Sequence, residues 1–410
     1  MKKLLLGLLA FALLGAGTSA RAEGFVSVNG RQIVDSEGRP LLLKGINLGN
    51  WLVPEGYMFE FKKPNSPRLV GGLVSELLGP EEARLFWIRF QDNFITRDDI
   101  TLIRKMGFNS VRVPFNYRLF TPEDQPGVFS GRGFELLDRV VGWCGAEKLL
   151  VLLDMHCAPG GQTGDNIDDG WGYPFLFESP SDQDRAIELW RRIARRYAKE
   201  PAVIGYDLLN EPIAHFFDTK TLNPRLEPLY RRMTAAVRES DQHHLVFLGG
   251  AQWDSNFDVF GPPFDPKSVY TFHKYWTAPT KEVIQDYLKF QERHNVPLYM
   301  GESGENSNDW IRQFRQTLEE NGVGWCFWPY KKVGSESCVA RIKRPAKYDD
   351  LLRFAEAPRS TFEEIRNARA ASPHAADALR ALITVSRISA TGINAKYVEA
   401  LGMRVVQPTP

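Results

Sequence analysis

A short apolar segment in the middle of the chain reads Val203-Ile-Gly-Tyr-Asp-Leu-Leu-Asn210 and is followed by Glu211 and Pro212. Its near-continuous apolar character predicts a β-strand that is buried on both faces, as parallel sheets require. A carboxylate at the end of such a strand costs little free energy if water reaches it. The segment therefore indicates a parallel sheet, but it leaves open whether Glu211 is only a polar strand end or a functional group.

Segments of this kind recur along the chain, and most of the intervals between them have the apolar period of a helix. The predicted strands are Leu41–Leu48, Asn109–Phe115, Leu149–His156, Val203–Asn210, Leu245–Gly249, Val269–Tyr275, Leu298–Glu302 and Gly324–Trp328. The clearest predicted helix is Ser181–Glu200, with Ser181 as its N-cap and Pro201 at its end. The other predicted helices are Arg97–Met106, Phe134–Lys148, Leu226–Glu239, Lys281–His294 and Asp309–Glu320.

Eight strands that alternate with helical connections predict an α/β fold, the (β/α)8 TIM barrel. Right-handed βαβ units repeated eight times can close the sheet and remove its edges. A doubly wound open sheet is the alternative. The fifth connection, Gln252–Lys267, is rich in Pro and Gly, so we expect its helix to be short or missing.

Segments at both ends of the predicted barrel have their own patterns. Val26–Gly30 and Gln32–Leu43 contain the turn signals Asn29-Gly30 and Glu37-Gly38, which predict β-hairpins that plug the barrel floor. Thr361–Ser386 is helical in pattern and predicts an appendage packed on the outside. We therefore predict a catalytic barrel domain of residues 23–358 and a C-terminal helical extension of residues 359–410.

The first 22 residues have the pattern of a secretory signal peptide, which predicts a secreted or periplasmic protein. Lys2 and Lys3 precede an apolar run, and Ala20-Arg21-Ala22 is a typical cleavage site. The formal net charge of the whole chain is +1, and loss of this leader would bring it to about −2. Such a balance favours neither a nucleic-acid partner nor a membrane surface, and we expect a monomer.

The four cysteines are Cys144, Cys157, Cys326 and Cys338, and no two of them are close in sequence. This spacing excludes a CxxC metal site and a dense disulfide framework. One disulfide in an oxidising compartment is compatible with the sequence, with its pairing left open.

Polar and aromatic side chains stand at the carboxyl ends of the predicted strands, which in a TIM barrel form the reactive face. They are Arg112, Asn116, His156, Asn210, Glu211, His273, Tyr275, Glu302 and Trp328. Glu211 and Glu302 end the fourth and seventh strands, so we expect them to face each other across the barrel mouth.

Two facing carboxyl groups suit glycosidic cleavage, in which one donates a proton to the departing oxygen and the other attacks the anomeric carbon. A separation of about 5 Å indicates retention of configuration, whereas about 6.5–9.5 Å indicates inversion. We expect Glu211 to be the acid, because burial and a neighbouring carboxylate raise the pKa of such a group.

The remaining residues fit the same reaction. Arg112 is a permanent cation that would keep Glu302 ionised. Asn210 can donate a hydrogen bond to a sugar 2-hydroxyl, and the indole of Trp328 can stack on a sugar ring. Tyr275 could steady the nucleophile. His156 and His273 could contact hydroxyl groups, although each could instead bond backbone in the core.

Six motifs together resemble glycoside hydrolase family 5, the cellulase family of retaining (β/α)8 enzymes, over residues 25–355. They are Val111-Arg-Val-Pro114, Asp154-Met-His156, Leu209-Asn-Glu-Pro212, Phe272-His-Lys-Tyr275, Met300-Gly-Glu302 and Phe327-Trp328. By this resemblance Glu211 is the acid/base and Glu302 the nucleophile. The resemblance likewise implies that the substrate is bound by Arg112, His156, Asn210, His273, Tyr275 and Trp328.

Two further stretches, Gly45–Glu55 and His156–Gln162, resemble the exo-β-1,3-glucanase branch of that family. The resemblance implies that Glu55 grips the non-reducing-end sugar and closes the groove into a pocket. Asn50, Pro54 and the basic pair Lys331-Lys332 depart from that branch, as does the absence of a tryptophan after Glu302. Pocket and open cleft therefore both remain possible.

The sequence favours a secreted retaining β-glycosidase acting on a β-glucan or β-glucoside, with no cofactor and no metal ion. A transglycosidase would use the same residues, and a carbohydrate-binding protein without turnover is an alternative on the same scaffold. A metal-dependent hydrolase is a third. The acidic loop Asp165–Gly170 resembles a calcium loop, but its twelfth position is Leu176 where an EF-hand needs Glu. His243-His244 begins a strand, at the end of the barrel away from the reactive face.

Overall fold

The computed structural model describes residues 24–408. The predicted leader of residues 1–22 lies outside this range. Within the described residues, no helix has the length and apolar character needed to cross a membrane.

The centre of the fold is a closed barrel of eight parallel strands, which confirms the predicted (β/α)8 architecture and excludes the open sheet. The barrel strands are β3 to β10 and their order around the barrel is the order of the sequence, with β10 closing onto β3. The strands in chain order are β1 (Ser27–Asn29), β2 (Gln32–Val34), β3 (Lys44–Asn47), β4 (Ser110–Asn116), β5 (Leu150–Cys157), β6 (Val203–Asp207), β7 (Leu245–Gly249), β8 (Ser268–His273), β9 (Leu298–Gly304), β10 (Gly324–Trp328), β11 (Lys331–Val333), β12 (Ala340–Ile342) and β13 (Gly392–Ile393).

Helices surround the barrel because their apolar residues recur at a period near 3.6 and pack on the outer face of the strands. They are α1 (Pro67–Leu78), α2 (Pro80–Phe94), α3 (Arg97–Met106), α4 (Gly133–Glu147), α5 (Pro180–Tyr197), α6 (Thr219–Leu222), α7 (Leu226–Arg238), α8 (Ala251–Asp254), α9 (Gln285–His294), α10 (Asn308–Glu320), α11 (Tyr348–Glu356), α12 (Phe362–Ala371), α13 (Ala375–Val385) and α14 (Ala395–Ala400). The predicted helices correspond to α3, α4, α5, α7, α9 and α10, with small shifts at their ends.

One predicted helix cap is wrong. Helix α5 begins at Pro180, and its N-cap is Ser179, whose side chain accepts a hydrogen bond from the backbone N–H of Asp182. Ser181, the predicted cap, lies inside the first turn. Proline suits the first helical position because it has no N–H to leave unsatisfied, and this places the cap one residue before Pro180.

The helix of the fifth connection is short, as predicted. It contains the four-residue α8 and a 3-10 turn at Phe257–Val259. In α8 the backbone of Gln252, Trp253 and Asp254 has φ of 51°, 56° and 57°, the left-handed region that residues with a Cβ seldom occupy. By contrast, the first connection contains α1 and α2, which the sequence analysis did not identify.

The barrel floor is plugged by the N-terminal hairpin, as predicted. Strands β1 and β2 pair antiparallel, and an isolated bridge between Val34 and Pro40 continues the turn into a second hairpin. Val26 and Ile33 pack with a cluster of buried side chains from the lower interior of the barrel, including Leu152 and Phe247. The floor is therefore a solid apolar core, which leaves the carboxyl ends of the strands as the open end, here termed the barrel mouth.

The C-terminal extension packs on the barrel and reaches the barrel mouth. Strand β13 pairs antiparallel with β12, which in turn pairs with β11 directly after the last barrel strand. In α14 the hydroxyl of Tyr397, which is fully buried, donates a hydrogen bond to the backbone carbonyl of Trp328 at 3.2 Å. The extension thus supports the wall of the barrel mouth from behind.

All four cysteines are buried free thiols, so the disulfide that the sequence left open is not formed.

Candidate functional site

Glu211 lies in the loop after β6, not on the strand itself. The strand ends at Asp207, and the backbone N–H of Asn210 bonds the carbonyl of Met155 on the neighbouring strand at 3.1 Å. Glu211 has φ of 46°, and its carbonyl accepts a hydrogen bond from the Thr163 hydroxyl at 2.7 Å. Left-handed backbone at a residue with a side chain costs about 1–3 kcal/mol and persists only where the surroundings hold it. The loop is therefore built to hold this carboxyl group in one position.

Glu302 lies on β9, and an irregular register brings it beside the neighbouring strand's histidine. Pairing between β8 and β9 shifts between Phe272 and His273, after which His273 lies opposite Glu302. A shift of one residue turns a side chain toward the other face of the sheet. This irregularity allows His273 and Glu302 to point into the barrel mouth together.

The carboxyl groups of Glu211 and Glu302 face each other across a short gap. Carboxylate oxygens of these residues and a ring nitrogen of His273 all lie within 4.8 Å of one another. Glu211 is 8% exposed and Glu302 is 5% exposed, so both carboxyl groups are buried but open to the barrel mouth. Because 4.8 Å is an upper limit for one oxygen of each carboxyl group, the gap fits the separation of about 5 Å that goes with retention of configuration better than the roughly 6.5–9.5 Å that goes with inversion.

Arg112 is the central cation of the site and is fully buried. Its Nη1 donates to Glu302 at 2.6 Å, its Nε to Asp207 at 2.8 Å and its Nη2 to the Asn210 side chain at 2.8 Å. Although burial would lower the pKa of Arg112, the carboxylates of Asp154, Asp207 and Glu302 raise it well above its usual value. Arg112 is therefore a fixed positive charge beside Glu302.

His156 lies behind Asn210 and is neutral. Its Nδ1 is 2.8 Å from Asp154, and its Nε2 is 3.4 Å from the Asn210 side-chain nitrogen. Burial lowers the pKa of His156 to about 4. The ring thus orients Asn210 without adding charge to the site.

His273 bridges Glu211 to a buried acid that the sequence analysis did not single out. Its Nδ1 is 2.7 Å from Glu211, and its Nε2 is 3.2 Å from Asp254. Burial lowers the pKa of His273 to about 3, so this ring is also neutral. Burial, followed by the charges of Asp207 and Glu211, raises the pKa of Asp254 well above its usual value. Asp254 is fully buried and lies behind the ring of His273, although among the described residues neither its carboxyl oxygens nor the His273 Nε2 has a hydrogen-bond partner of good geometry.

Glu211 has the protonation behaviour of an acid catalyst near neutral pH. Burial raises its pKa to about 7, with a smaller upward effect from Asp165, while His156 and Arg112 act in the opposite direction. We expected the upward shift, and burial is its main cause. A substantial fraction of Glu211 therefore holds its proton at pH 7.

Trp328 forms a flat wall of the site. Its ring lies parallel to that of His156, with an interplanar angle of 9° and centroids 5.6 Å apart, and its Nε1 donates to the Tyr57 hydroxyl at 2.6 Å. Gly49 permits this position, because a Cβ there would lie 2.6 Å from the indole. The Tyr275 hydroxyl donates to Glu302 at 3.1 Å.

Glu55 lies in the loop after β3 and is 2% exposed. Its Oε1 is buried and has no hydrogen-bond partner among residues 24–408. Burial, together with Glu302, Glu305 and Glu211, raises the pKa of Glu55 well above its usual value, against the opposing charge of Lys332. Burial and the neighbouring acids thus favour the protonated form of Glu55, whose Oε1 is an unused hydrogen-bonding atom beside the site.

The basic pair after Trp328 divides between two roles. Lys331 is fully buried away from the site, where its ammonium group pairs with Asp99 and donates to the carbonyl of Phe94, both at 2.6 Å. Lys332 faces the site, pairs with Glu305 and lies 4.3 Å from the centroid of the Tyr57 ring. Of these two lysines, only Lys332 therefore contributes its charge to the barrel mouth.

The acidic residues offer little to a cation. Glu211, His273 and Glu302 have a ligand-like spacing, but Arg112 already contributes a positive charge 2.6 Å from Glu302. In the acidic loop, Asp168 accepts hydrogen bonds from the backbone N–H groups of Thr163, Gly164 and Gly170. The neighbouring Asp169 pairs with Arg118. These carboxylates hold the loop together.

The structure brings together nine of the ten residues that the sequence analysis placed at the reactive face: Glu55, Arg112, His156, Asn210, Glu211, His273, Tyr275, Glu302 and Trp328. The tenth, Asn116, caps the turn after β4, where its side-chain oxygen accepts a hydrogen bond from the backbone N–H of Arg118 at 2.9 Å. The structure adds partners that had no assigned role: Asn47, Tyr57, Asp154, Asp207 and Asp254. Asn47 accepts from Arg112 at 3.1 Å. Asp154 and Asp207 lie within predicted strands. A charged residue in an otherwise apolar strand was the sequence feature that could have identified them as site residues. Tyr57 lies in a 3-10 turn and Asp254 at the end of α8, both outside the predicted strands, and the sequence gave no signal for either.

Comparison with known proteins agrees with this geometry. A family model described as cellulase (glycosyl hydrolase family 5) matches residues 76–334, which is more than half of the chain. A β-xylosidase of Phanerodontia chrysosporium is 29% identical over 366 residues, which cover 80% of this chain and 75% of that protein. Endoglucanase C of Acetivibrio thermocellus is 28% identical over 329 residues, covering 65% and 91%. A probable glucan 1,3-β-glucosidase A of Emericella nidulans is 34% identical over 210 residues, half of each chain.

Solved structures share the fold. The crystal structure of an endogalactoceramidase superposes with a TM-score of 0.57 at 20% identity, covering 75% of each chain. Cel5A of Thermotoga maritima in complex with cellobiose superposes with a TM-score of 0.51 at 19% identity, covering 70% of this chain and 90% of that one.

Proposed function

Because the chain belongs to glycosyl hydrolase family 5, the cellulase family, we propose that it is a retaining β-glycosidase that hydrolyses a β-glucan or β-glucoside by double displacement. In this proposal Glu302 is the nucleophile and Glu211 is the acid/base. The observation that carries the proposal is the pair itself: two buried carboxyl groups with oxygens within 4.8 Å, one beside a fixed cation and one with a pKa of about 7.

In the first step Glu302 attacks the anomeric carbon while Glu211 donates its proton to the departing oxygen. Arg112 at 2.6 Å and Tyr275 at 3.1 Å hold the Glu302 carboxylate in place by hydrogen bonds. The product of this step is a glycosyl ester of Glu302, and the leaving group departs as a neutral alcohol.

In the second step water attacks the same carbon from the side that the leaving group vacated. Glu211, now ionised, accepts a proton from that water, and the ester bond to Glu302 breaks. Two inversions give net retention. Glu211 regains its proton, and neutral His273 at 2.7 Å holds it in place through both steps.

The side of the barrel mouth that Trp328 forms suits a pyranose ring. In this proposal the CH face of the sugar meets the Trp328 indole, of which 2% is exposed. The Asn210 side chain, held by Arg112 at 2.8 Å, is positioned to bond the 2-hydroxyl as positive charge develops on the ring. The unpartnered Oε1 of Glu55 is available to a further hydroxyl. These contacts support a site that grips one terminal sugar.

The substrate class follows from the relatives only in general terms, because their printed activities differ: β-xylosidase, endoglucanase and glucan 1,3-β-glucosidase. Among these, the buried Glu55 and the Trp328–Tyr57 hydrogen bond favour a blocked pocket, and hence release of single sugars from a chain end. The pattern of residues 1–22 supports export of the enzyme.

Rescue by azide tests the two roles. Glu302→Ala should give an α-glycosyl azide from an activated aryl β-glucoside, because azide then attacks the anomeric carbon directly. Glu211→Ala should give a β-glycosyl azide, because azide replaces water on the covalent intermediate. Azide products of the opposite configurations would reverse the roles, and rescue of neither variant, with both folded, would remove the pair from the chemistry.

A further inference from the structure

The loop after β5 contacts the part of the chain that carries the proposed acid. Residues 210–214, here termed the acid segment, lie beside Thr163, which is fully buried. The Thr163 hydroxyl donates a hydrogen bond to the carbonyl of Glu211 at 2.7 Å, and the Thr163 carbonyl accepts one from the backbone N–H of Ala214 at 3.1 Å. Thr163 therefore holds the acid segment at two points, one of them at Glu211 itself.

The backbone of the acid segment has a conformation that needs such support. Glu211 and Ile213 have φ of 46° and 58°, and each left-handed residue of this kind costs about 1–3 kcal/mol. The N–H of Ile213 donates to the carbonyl of Gln162 at 2.8 Å, and the Gln162 side chain donates to the carbonyl of Asn210 at 2.9 Å. The hydrogen bonds from the loop after β5 thus offset the cost of the conformation that presents the Glu211 carboxyl group.

A buried aspartate anchors Thr163 in turn. Asp168 is 1% exposed, and its carboxylate accepts hydrogen bonds from the backbone N–H groups of Thr163 at 2.8 Å, Gly164 at 2.7 Å and Gly170 at 2.7 Å. Hydrogen bonds to an ionised acceptor are roughly twice as strong as those between neutral groups. The packing is close as well, because a Cβ at Gly170 would lie 2.7 Å from a carboxylate oxygen of Asp168. Asp168 therefore determines where the backbone of Thr163 lies.

Two hydrogen-bonded steps thus connect Asp168 to the proposed acid. The first joins the Asp168 carboxylate to the backbone of Thr163, and the second joins the Thr163 hydroxyl to the backbone of Glu211. Asp168 and Thr163 are enclosed by protein, whereas Glu211 opens to the barrel mouth. Neither of the two enclosed residues can contact a substrate, so any effect they have on the reaction has to act through Glu211.

We propose that Asp168 and Thr163 are positioning residues for proton transfer by Glu211. Asp168 orients the backbone of Thr163, and Thr163 keeps the Glu211 carboxyl group within hydrogen-bond reach of the departing oxygen. This inference rests on the proposed glycosidase function. A displacement of a catalytic group by about 1 Å can lower a rate about 100-fold, so a residue that sets this position affects the reaction without touching the substrate.

Variants that keep the shape of each side chain test the two steps. Thr163→Val removes the hydroxyl group, whereas Thr163→Ser retains it. Asp168→Asn replaces one acceptor oxygen by an NH2 group, which cannot accept from the backbone N–H groups that face it. Thermal unfolding of each variant shows whether it is folded.

The chain offers a matched control for each change, away from the acid segment. Thr234 on α7 is 3% exposed, and its hydroxyl has no hydrogen-bond partner among residues 24–408, so Thr234→Val controls for loss of a buried hydroxyl. Asp241 is fully buried before β7, where it accepts from the backbone N–H groups of His243 at 2.9 Å and His244 at 3.0 Å. Asp241→Asn therefore controls for loss of a buried carboxylate that anchors a loop.

The dependence on the leaving group separates a displaced acid from a damaged fold. A phenyl β-glucoside needs a proton on its departing oxygen, whereas a dinitrophenyl β-glucoside does not. We expect Thr163→Val and Asp168→Asn to lower kcat/KM for the phenyl glucoside by about 10–100-fold, and for the dinitrophenyl glucoside by less than about twofold. Thr163→Ser should retain most of the wild-type value. Both control variants should keep the wild-type ratio between the two substrates.

Equal losses on both glucosides in the Thr163 and Asp168 variants would overturn the inference, because they indicate general damage to the site. Unchanged kinetics in folded variants would overturn it as well. If Asp168→Asn does not fold, Thr163→Val decides the question, because it removes a single hydroxyl group. Failure of the proposed function is distinguishable from both results, since the wild type would then hydrolyse neither glucoside.

Discussion

The two sides of the barrel mouth differ in how their side chains are held. On the side of β10 and β3, Trp328 and Glu55 are buried and Tyr57 is half-buried, and the Trp328 Nε1 donates a hydrogen bond to the Tyr57 hydroxyl. On the side of β6 and β7 lie His215, Phe216 and Trp253, here termed the rim cluster, whose rings contact one another. His215 and Phe216 are exposed and Trp253 is half-buried. Hydrogen-bonded buried groups discriminate strongly between ligands, whereas exposed aromatic faces accept many flat rings. The closed side should therefore define the sugar, and the open side should tolerate different leaving groups.

The largest effect should come from the nucleophile, which serves both sides equally. Glu302→Ala should lower kcat on every donor by about 10⁵-fold or more, a size typical of removing a covalent nucleophile. Steady-state kinetics on an oligosaccharide and an aryl glucoside measure it. Near-wild-type rates in this variant, with contaminating activity excluded by a Glu211→Ala, Glu302→Ala double variant, would remove Glu302 from the reaction.

Loss of the acid should separate the leaving groups. Glu211→Ala should lower kcat/KM for an oligosaccharide by about 10²–10⁴-fold, because its departing alkoxide needs a proton. A dinitrophenyl glucoside needs no such proton, so its glycosylation rate should stay near that of the wild type. Pre-steady-state release of the phenol measures this step. Equal losses on both substrates would contradict the acid role.

The acid should also determine the basic limb of the pH profile. The pKa of Glu211 is raised to about 7 by burial, so the protonated form is lost as pH rises through about 7. We expect kcat/KM for oligosaccharides to fall in that range, and the fall to be absent for the dinitrophenyl glucoside. A basic limb shared by both substrates would assign it to another group.

Variants of Glu55 test whether the side of β10 and β3 binds the sugar. Burial raises the pKa of Glu55 well above the usual value, which favours the protonated carboxyl group, and a glutamine resembles that form in shape and in hydrogen-bonding groups. Glu55→Ala should lower kcat/KM by about 10–100-fold through a lost hydrogen bond, while Glu55→Gln should retain most of it. The same assays measure both. A larger loss in Glu55→Gln than in Glu55→Ala would show that the ionised form is needed.

The smallest effect should come from Asp254, a positioning residue behind His273. Asp254→Ala should lower kcat about tenfold with little change in KM, because His273 no longer holds Glu211 in one geometry. Asp254→Asn should recover most of kcat. Thermal unfolding of both variants separates this from loss of fold. Equal kcat in the alanine and asparagine variants at matched stability would leave Asp254 without a positioning role.

The features that could be predicted from the sequence are those that depend on hydrophobic periodicity and on the order of the strands. Apolar runs located the barrel strands, and the rule that strand ends meet at one face brought Glu211 and Glu302 together. Glu55 lies in a loop, and only the family resemblance pointed to it. The sequence showed no sign of the register shift at His273 or of the left-handed run from Gln252 to Asp254, because both depend on packing between distant segments. For the same reason Asp254 and the rim cluster emerged only from the structure.

The helix cap gives a smaller lesson of the same kind. Ser179 and Ser181 flank Pro180, and either serine satisfies the residue preference for a cap. The fixed φ of proline decides between them, since it suits the first helical position. The position of Pro180 is therefore sufficient to identify Ser179 as the N-cap from the sequence alone.

The central claim is that Glu302 forms a covalent bond to the sugar while Glu211 manages the proton. A 2-deoxy-2-fluoro β-glucoside with a dinitrophenolate leaving group tests it, because the fluorine slows both steps and the activated leaving group lets only the first proceed. Mass spectrometry of the digested protein should find one fluoroglucosyl group, on the peptide containing Glu302. A label on Glu211, or release of an inverted product with no adduct, would contradict the account.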